Sequence, residues 1–147
     1  MEPLSVMKMM KNYTDLSKLN TFKERFEYLK LEGSVGDVTF GVNRYINQTF
    51  YTSAKWKSTR DQIIIRDNGC DLGVSGWEIY DKIYIHHITP ITLEDILNDL
   101  DILYNPENLI CCSYLTHAGI HYGNDSFYDI FSERKPGDTI LWRWKYG

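Results

Sequence analysis

Four histidines are all that this chain of 147 residues contains, and they fall in two short stretches, "YIHHITP" at 84–90 and "THAGIHYG" at 116–123. Imidazole is both a metal ligand and a proton acceptor near neutral pH. His117 and His121 are four residues apart, so on a helix they share one face, one turn apart, and can converge on one ion. One further ligand from the His86–His87 pair would make a set of three neutral imidazoles. That set leaves coordination positions for water and substrate, as in a catalytic metal site rather than a closed structural one. The remaining histidine would then accept the proton of an attacking water. Neighbours on a regular strand point to opposite faces, so both can serve one site only if the strand becomes irregular there. Pro90 and a polar side chain fixing the loop would provide the irregularity. Spacing alone does not decide which of His86 and His87 binds the ion.

The elements that must position these residues are partly visible in the pattern. "YIHHITP" ends a strand-like stretch, "WEIYDKIYIHHITP", in which Ile79, Ile83 and Ile85 alternate against polar neighbours. "YNPENLICCSYLTHAGIHYG" begins with a turn at Asn105-Pro106 and is expected to turn helical through His121 to Gly123. Upstream, Thr21-x-x-Glu24 is a capping-box pattern, and Phe22, Phe26 and Leu29 follow at helical spacing. "AKWKSTRDQIIIRDNGCDLG" puts Trp56, Ile63 and Ile64 on one apolar face and ends at an Asn68-Gly69 turn. Thr92 opens a second capped run, with Leu93, Ile96, Leu97 and Leu100 on one face. "ERKPGDTILWRWKYG" reads as a Pro136-Gly137 turn followed by a closing strand, Thr139 to Trp144.

The length fits one domain, with residues 1–16 an arm, 17–147 the domain and 78–123 its functional core. At 43% hydrophobic and with no apolar run approaching a membrane span, the composition is that of a soluble globular protein. The start lacks the apolar core of a signal peptide, and the three cysteines are odd in number with no C-x-x-C, which together suggest the cytoplasm. The net charge of −4 argues against polyanion binding over the whole surface. No Lys or Arg occurs over 83–133, whereas Glu94, Asp95, Asp99, Asp101 and Glu107 fall there. A polyanion would have to be held by the basic flanks, with Arg60, Arg66 and Arg134 as candidate phosphate contacts.

The ordered set "HHITPI", "NLI" and "HAGIH" resembles the HNH, or ββα-metal, nucleases, and is especially similar to their colicin-type bacterial DNase branch. The spacing from Asn108 to His117 matches that pattern, and the Trp56-x-x-x-Arg60 lead-in and "RKPGDTILW" tail resemble phage-encoded members. The resemblance implies an α+β fold with a ββα-metal core, an N-terminal helix and a C-terminal strand. It assigns His86, His117 and His121 to one divalent ion (Mg²⁺, Mn²⁺, Ni²⁺ or Zn²⁺) and makes His87 the general base. Asn108 would hold the loop between strand and helix, and with it the orientation of His87. The implied activity is hydrolysis of DNA phosphodiester bonds, in the cytoplasm of a bacterial host if the chain is phage-encoded.

The chain departs from the family where many members carry two C-x-x-C knuckles around a structural zinc. Ser113 and Thr116 stand at the second knuckle's positions, so no structural zinc is expected, with apolar helices and Trp56 packing in its place. Asp67, Asp71 and Asp81 are candidates to bond an imidazole from behind, and no spacing singles one out. Asn108 has a second reading as a helix cap. The rival function is a binding module whose acidic 94–107 region engages a basic protein partner.

Overall fold

The computed structural model describes residues 11–31 and 44–122. The expected C-terminal strand and Arg134 lie outside them. No helix among the described residues is long and apolar enough to cross a membrane. The architecture is mixed α and β. Among the described residues, four helices, α1 (Tyr13–Ser17), α2 (Phe22–Leu29), α3 (Arg44–Tyr51) and α4 (Ala54–Arg66), precede strand β1 (Tyr84–His87). Helix α5 (Leu93–Leu97), strand β2 (Leu109–Cys112) and helix α6 (Tyr114–Tyr122) follow. The two strands pair antiparallel, with His86 opposite Ile110 and His87 opposite Leu109.

Local chemistry explains the helix starts. The Thr21 hydroxyl accepts the Glu24 N–H, and Thr92 and Asp95 form a reciprocal capping box. Ser53 caps α4 by accepting the Trp56 N–H, and that helix stops where Asn68 (φ 55°) and Gly69 (φ 63°) take left-handed backbone, as the Asn-Gly pair predicts. Asn12 caps α1, whose Leu16 is fully buried, so the stretch expected to be an arm is docked from residue 11 onward.

Three expectations change. The segment 109–112 is not helical. "LICC" is a strand buried on both faces, with Ile110 and Cys112 in one apolar cluster and Leu109 and Cys111 in the other. A short run buried on both sides has neither helical nor alternating periodicity, which hides its type. The second capped run also ends earlier than expected. Asp99 adopts φ 49°, α5 stops at Leu97, and that leucine is 63% exposed rather than part of a face with Leu100. Upstream of β1, Glu78 makes an isolated bridge to Cys70, and 79–83 is not strand.

The sheet separates two cores. Leu16, Phe22, Phe26, Leu29, Leu72, Trp77 and Ile120 cover the Ile110–Cys112 face, while Phe50, Trp56, Ile63, Ile102 and Leu103 cover the Leu109–Cys111 face. Burying a leucine or phenylalanine stabilises by about 1.5–3 kcal/mol, so a two-stranded sheet too small to stand alone is held by these layers.

Candidate metal centre

Strand alternation sends His86 toward α6 and His87 toward α4. The His86 ring lies 5.4 Å from that of His117 and 5.0 Å from that of His121, edge to face in both cases. His117 and His121, one turn apart on α6, have centroids 4.5 Å apart and Nε2 atoms at 3.0 Å. One nitrogen from each of the three rings falls within a 4.8 Å span, a grouping able to hold a metal ion. The Nε2 atom of His86 is buried and has no hydrogen-bond partner. A buried polar atom left bare is costly, and an ion shared by the three imidazoles would satisfy it. The donor set therefore fits a divalent metal, with imidazole favouring the softer ions.

Burial keeps all four rings in the form that ligates. It lowers His86 well below the ordinary imidazole value, with His117 and His121 adding to the effect. His117 is pushed down to about 3 by burial and then by His121, and His121 to about 4 by burial. Neutral imidazoles offer lone pairs at pH 7 with no proton to displace.

His87 is built differently. Its Nε2 lies 3.1 Å from the Leu103 carbonyl, which can only accept, so Nε2 carries the proton and Nδ1 is the ring's acceptor. Burial pushes this imidazole down to about 4, against the raising effects of the Leu103 bond and of Asp95. Trp56 stacks on it with centroids 5.2 Å apart and an interplanar angle of 23°.

Both histidines nonetheless border one cavity of about 520 Å³. Ile83, Tyr84, Ile85, His86 and His87 all line it consecutively, because it runs along the edge of β1 that no described strand covers. At an edge, side chains from the two faces reach the same space, and the expected strand irregularity is unnecessary. His117, His121, Tyr114, Arg60 and Lys82 form further parts of the wall. Tyr84 stacks on His117 at 5.7 Å and 15°.

Asn108 is fully buried and bonds backbone through both polar atoms. Its Oδ1 accepts the Thr89 N–H at 2.6 Å, and its Nδ2 donates to the Thr89 and Ile102 carbonyls at 3.1 and 3.2 Å. Thr89 lies two residues past His87, and Ile102 precedes the Leu103 that holds the His87 ring. The helix-cap reading belongs instead to Asn105, which accepts the Glu107 N–H.

The candidate phosphate contacts divide. Arg60 lines the cavity, with one guanidinium nitrogen donating to the Ile83 carbonyl at 3.1 Å. Arg66 is spent inside the fold. It donates to Asp67, to the Pro106 carbonyl at 2.7 Å and to the Leu109 carbonyl at 2.6 Å, and stacks on Tyr13. Lys82, not singled out by sequence, has its ammonium 5.1 Å from the Tyr84 ring at the cavity wall.

Asp67 and Asp71 are engaged by backbone at the far side of the sheet. Asp67 accepts the Cys111 N–H at 3.0 Å and Asp71 the Ser113 N–H at 3.0 Å, on the outer edge of β2. Asp71 also accepts the Ser113 and Thr116 hydroxyls at 2.9 and 2.7 Å. The two positions where cysteine knuckles would sit are thus tied by a buried carboxylate, whereas Trp56 packs in the other core. Asp81 is exposed and accepts its neighbour's N–H. The spacing of Asp67 and Asp71, four apart around an Asn-Gly turn, matches two alternate N–H groups of a strand, but only once β2 is known to be one.

The acidic stretch is largely engaged within the chain. Asp99 pairs with Lys55 and Tyr104, Asp101 with Asn105, and Glu107 accepts from Thr14. No family model, curated protein or solved structure matches the chain.

Proposed function

We propose that this protein is a metal-dependent endonuclease that hydrolyses DNA phosphodiester bonds, using a ββα-metal core made of β1, β2 and α6. One observation carries the reading: three imidazoles bring one nitrogen each within a 4.8 Å span, the buried Nε2 of His86 has no hydrogen-bond partner, and a fourth imidazole, held by the Leu103 carbonyl, borders the same cavity. The bare, buried Nε2 of His86 is an expensive atom to leave in a core, and an ion would remove the cost.

His86, His117 and His121 would hold the ion. When bound, it would polarise the phosphoryl oxygen and offset charge on the departing alkoxide. His87 would take the proton of the attacking water at Nδ1, because Nε2 already donates to Leu103. Its position near 4 keeps it unprotonated at neutral pH, ready to accept. Asn108 would hold the loop after β1, keeping the base at a fixed distance from the ligand set. Arg60 and Lys82 would supply positive charge at the wall, which matters because 83–133 contains none.

The test is incubation of the purified chain with supercoiled plasmid and Mg²⁺, Mn²⁺, Ni²⁺ or Zn²⁺, against an EDTA control. Nicked or linear product is expected only with metal. His87→Ala should lower the rate by about 10²–10⁴-fold while calorimetry shows metal still bound. Intact plasmid with every ion would overturn the reading.

A further inference from the structure

We propose that Trp56 is a positioning residue for His87, acting through ring stacking to hold the imidazole at the angle from which Nδ1 meets water; this rests on the reading of His87 as the base. The Leu103 bond fixes Nε2 but leaves the ring free to swing about that axis. The indole, near parallel at 5.2 Å and 23°, blocks the swing on one side, and Phe50, 6.2 Å away and tilted 40°, restricts it further. Trp56 is itself braced, with Phe50 at 5.0 Å and Tyr51 edge-on at 5.6 Å. It is 4% exposed and lines the same cavity as His87, so it stands beside the imidazole at the wall.

The same helix grips β1 a second time. Arg60, one turn beyond Trp56, donates to the Ile83 carbonyl just before the strand begins. Helix α4 therefore splints β1 at both ends, by a ring at His87 and by backbone at Ile83. A large apolar residue filling the core would need neither the near-parallel plane nor this placement against a buried polar ring.

The experiment compares the full chain with Trp56→Phe and Trp56→Leu. Imidazole ¹³C–¹H resonances, with His87 assigned through His87→Gln, report ring placement whether or not cleavage occurs. Plasmid cleavage gives kcat and KM, and calorimetry gives metal affinity. Trp56→Leu should move the His87 resonances through loss of the indole ring current and broaden them. It should also lower kcat about tenfold, with KM and metal affinity within twofold. Trp56→Phe, which keeps a flat ring, should recover most of kcat and the narrow line. If Trp56→Leu fails to fold, the phenylalanine variant decides, with a shifted but narrow His87 signal expected. Unchanged kcat in Trp56→Leu, or kcat lost together with metal affinity, overturns the positioning role. So does a His87 signal equally narrow in the wild type and both variants. If the wild type cleaves nothing, the nuclease reading fails and the resonances alone decide whether the indole orders the ring.

Discussion

The two edges of one small sheet are finished in opposite ways. On the outer edge of β2, three backbone groups that would seek a third strand have found side chains. Arg66 takes the Leu109 carbonyl, Asp67 the Cys111 N–H and Asp71 the Ser113 N–H. On the edge of β1, consecutive residues border a cavity, and a buried imidazole nitrogen stands bare. Sheet edges left open are usually liabilities, and a fold that closes one so thoroughly has the means to close the other. On the proposed function, the β1 edge is the one kept for a ligand and the β2 edge the one made for stability.

The largest expected effect lies on the closed edge. Asp71→Ala leaves the Ser113 N–H and one of two mutually bonded buried hydroxyls without an acceptor, and should cost about 3–5 kcal/mol, read from the urea midpoint. A loss below about 1 kcal/mol would show that the carboxylate does not hold this edge. On the open edge the sign differs. His86→Leu removes a bare polar atom from a buried position, so the metal-free protein should keep its stability within about 1 kcal/mol. What that variant should lose is the gain from metal, about 2.7 kcal/mol for the wild type at a hundredfold excess of Zn²⁺ or Ni²⁺ over Kd. Equal metal stabilisation of both proteins would take His86 out of the ligand set.

The smallest effect is a dependence on acid. An unfolded imidazole titrates near 6.5, whereas in the fold burial holds His86 well below that and His87 and His121 at about 4. The unfolded chain thus binds more protons in this window. Stability is full above the unfolded value and is lost as pH falls toward the folded ones. Between pH 7.5 and 6.5, with chelator present, His86, His87 and His121 should together cost roughly 1 kcal/mol. Bound metal should enlarge the loss, because protons then compete with the ion. Denaturation at the two pH values checks both statements, and a metal-free protein more stable at pH 6.5 would show that the rings are not buried neutral.

The closed edge was almost illegible in the chain. Asp67, Asp71 and Arg66 look like ordinary surface charges around an Asn-Gly turn, and their partners lie more than forty residues away in a segment whose type is hidden. The open edge was far more legible. His117 and His121 announce themselves by helical spacing, and His86-His87 by lying at a strand end before Pro90.

What the chain determines by itself is short-range. A hydroxyl at Thr21 or Thr92 captures an N–H three residues on, Asn68-Gly69 takes left-handed backbone at no great cost, and a four-residue spacing puts two rings on one helix face. Such contacts need only a few bonds of chain to be settled. Tertiary structure decided the rest: that "LICC" is a strand, that Arg66 turns inward, and that His86 and His87 reach one cavity from opposite faces. Each depends on pairing or packing between distant segments. Their free energy comes from burial and from satisfying polar groups across the sheet, which no local periodicity records.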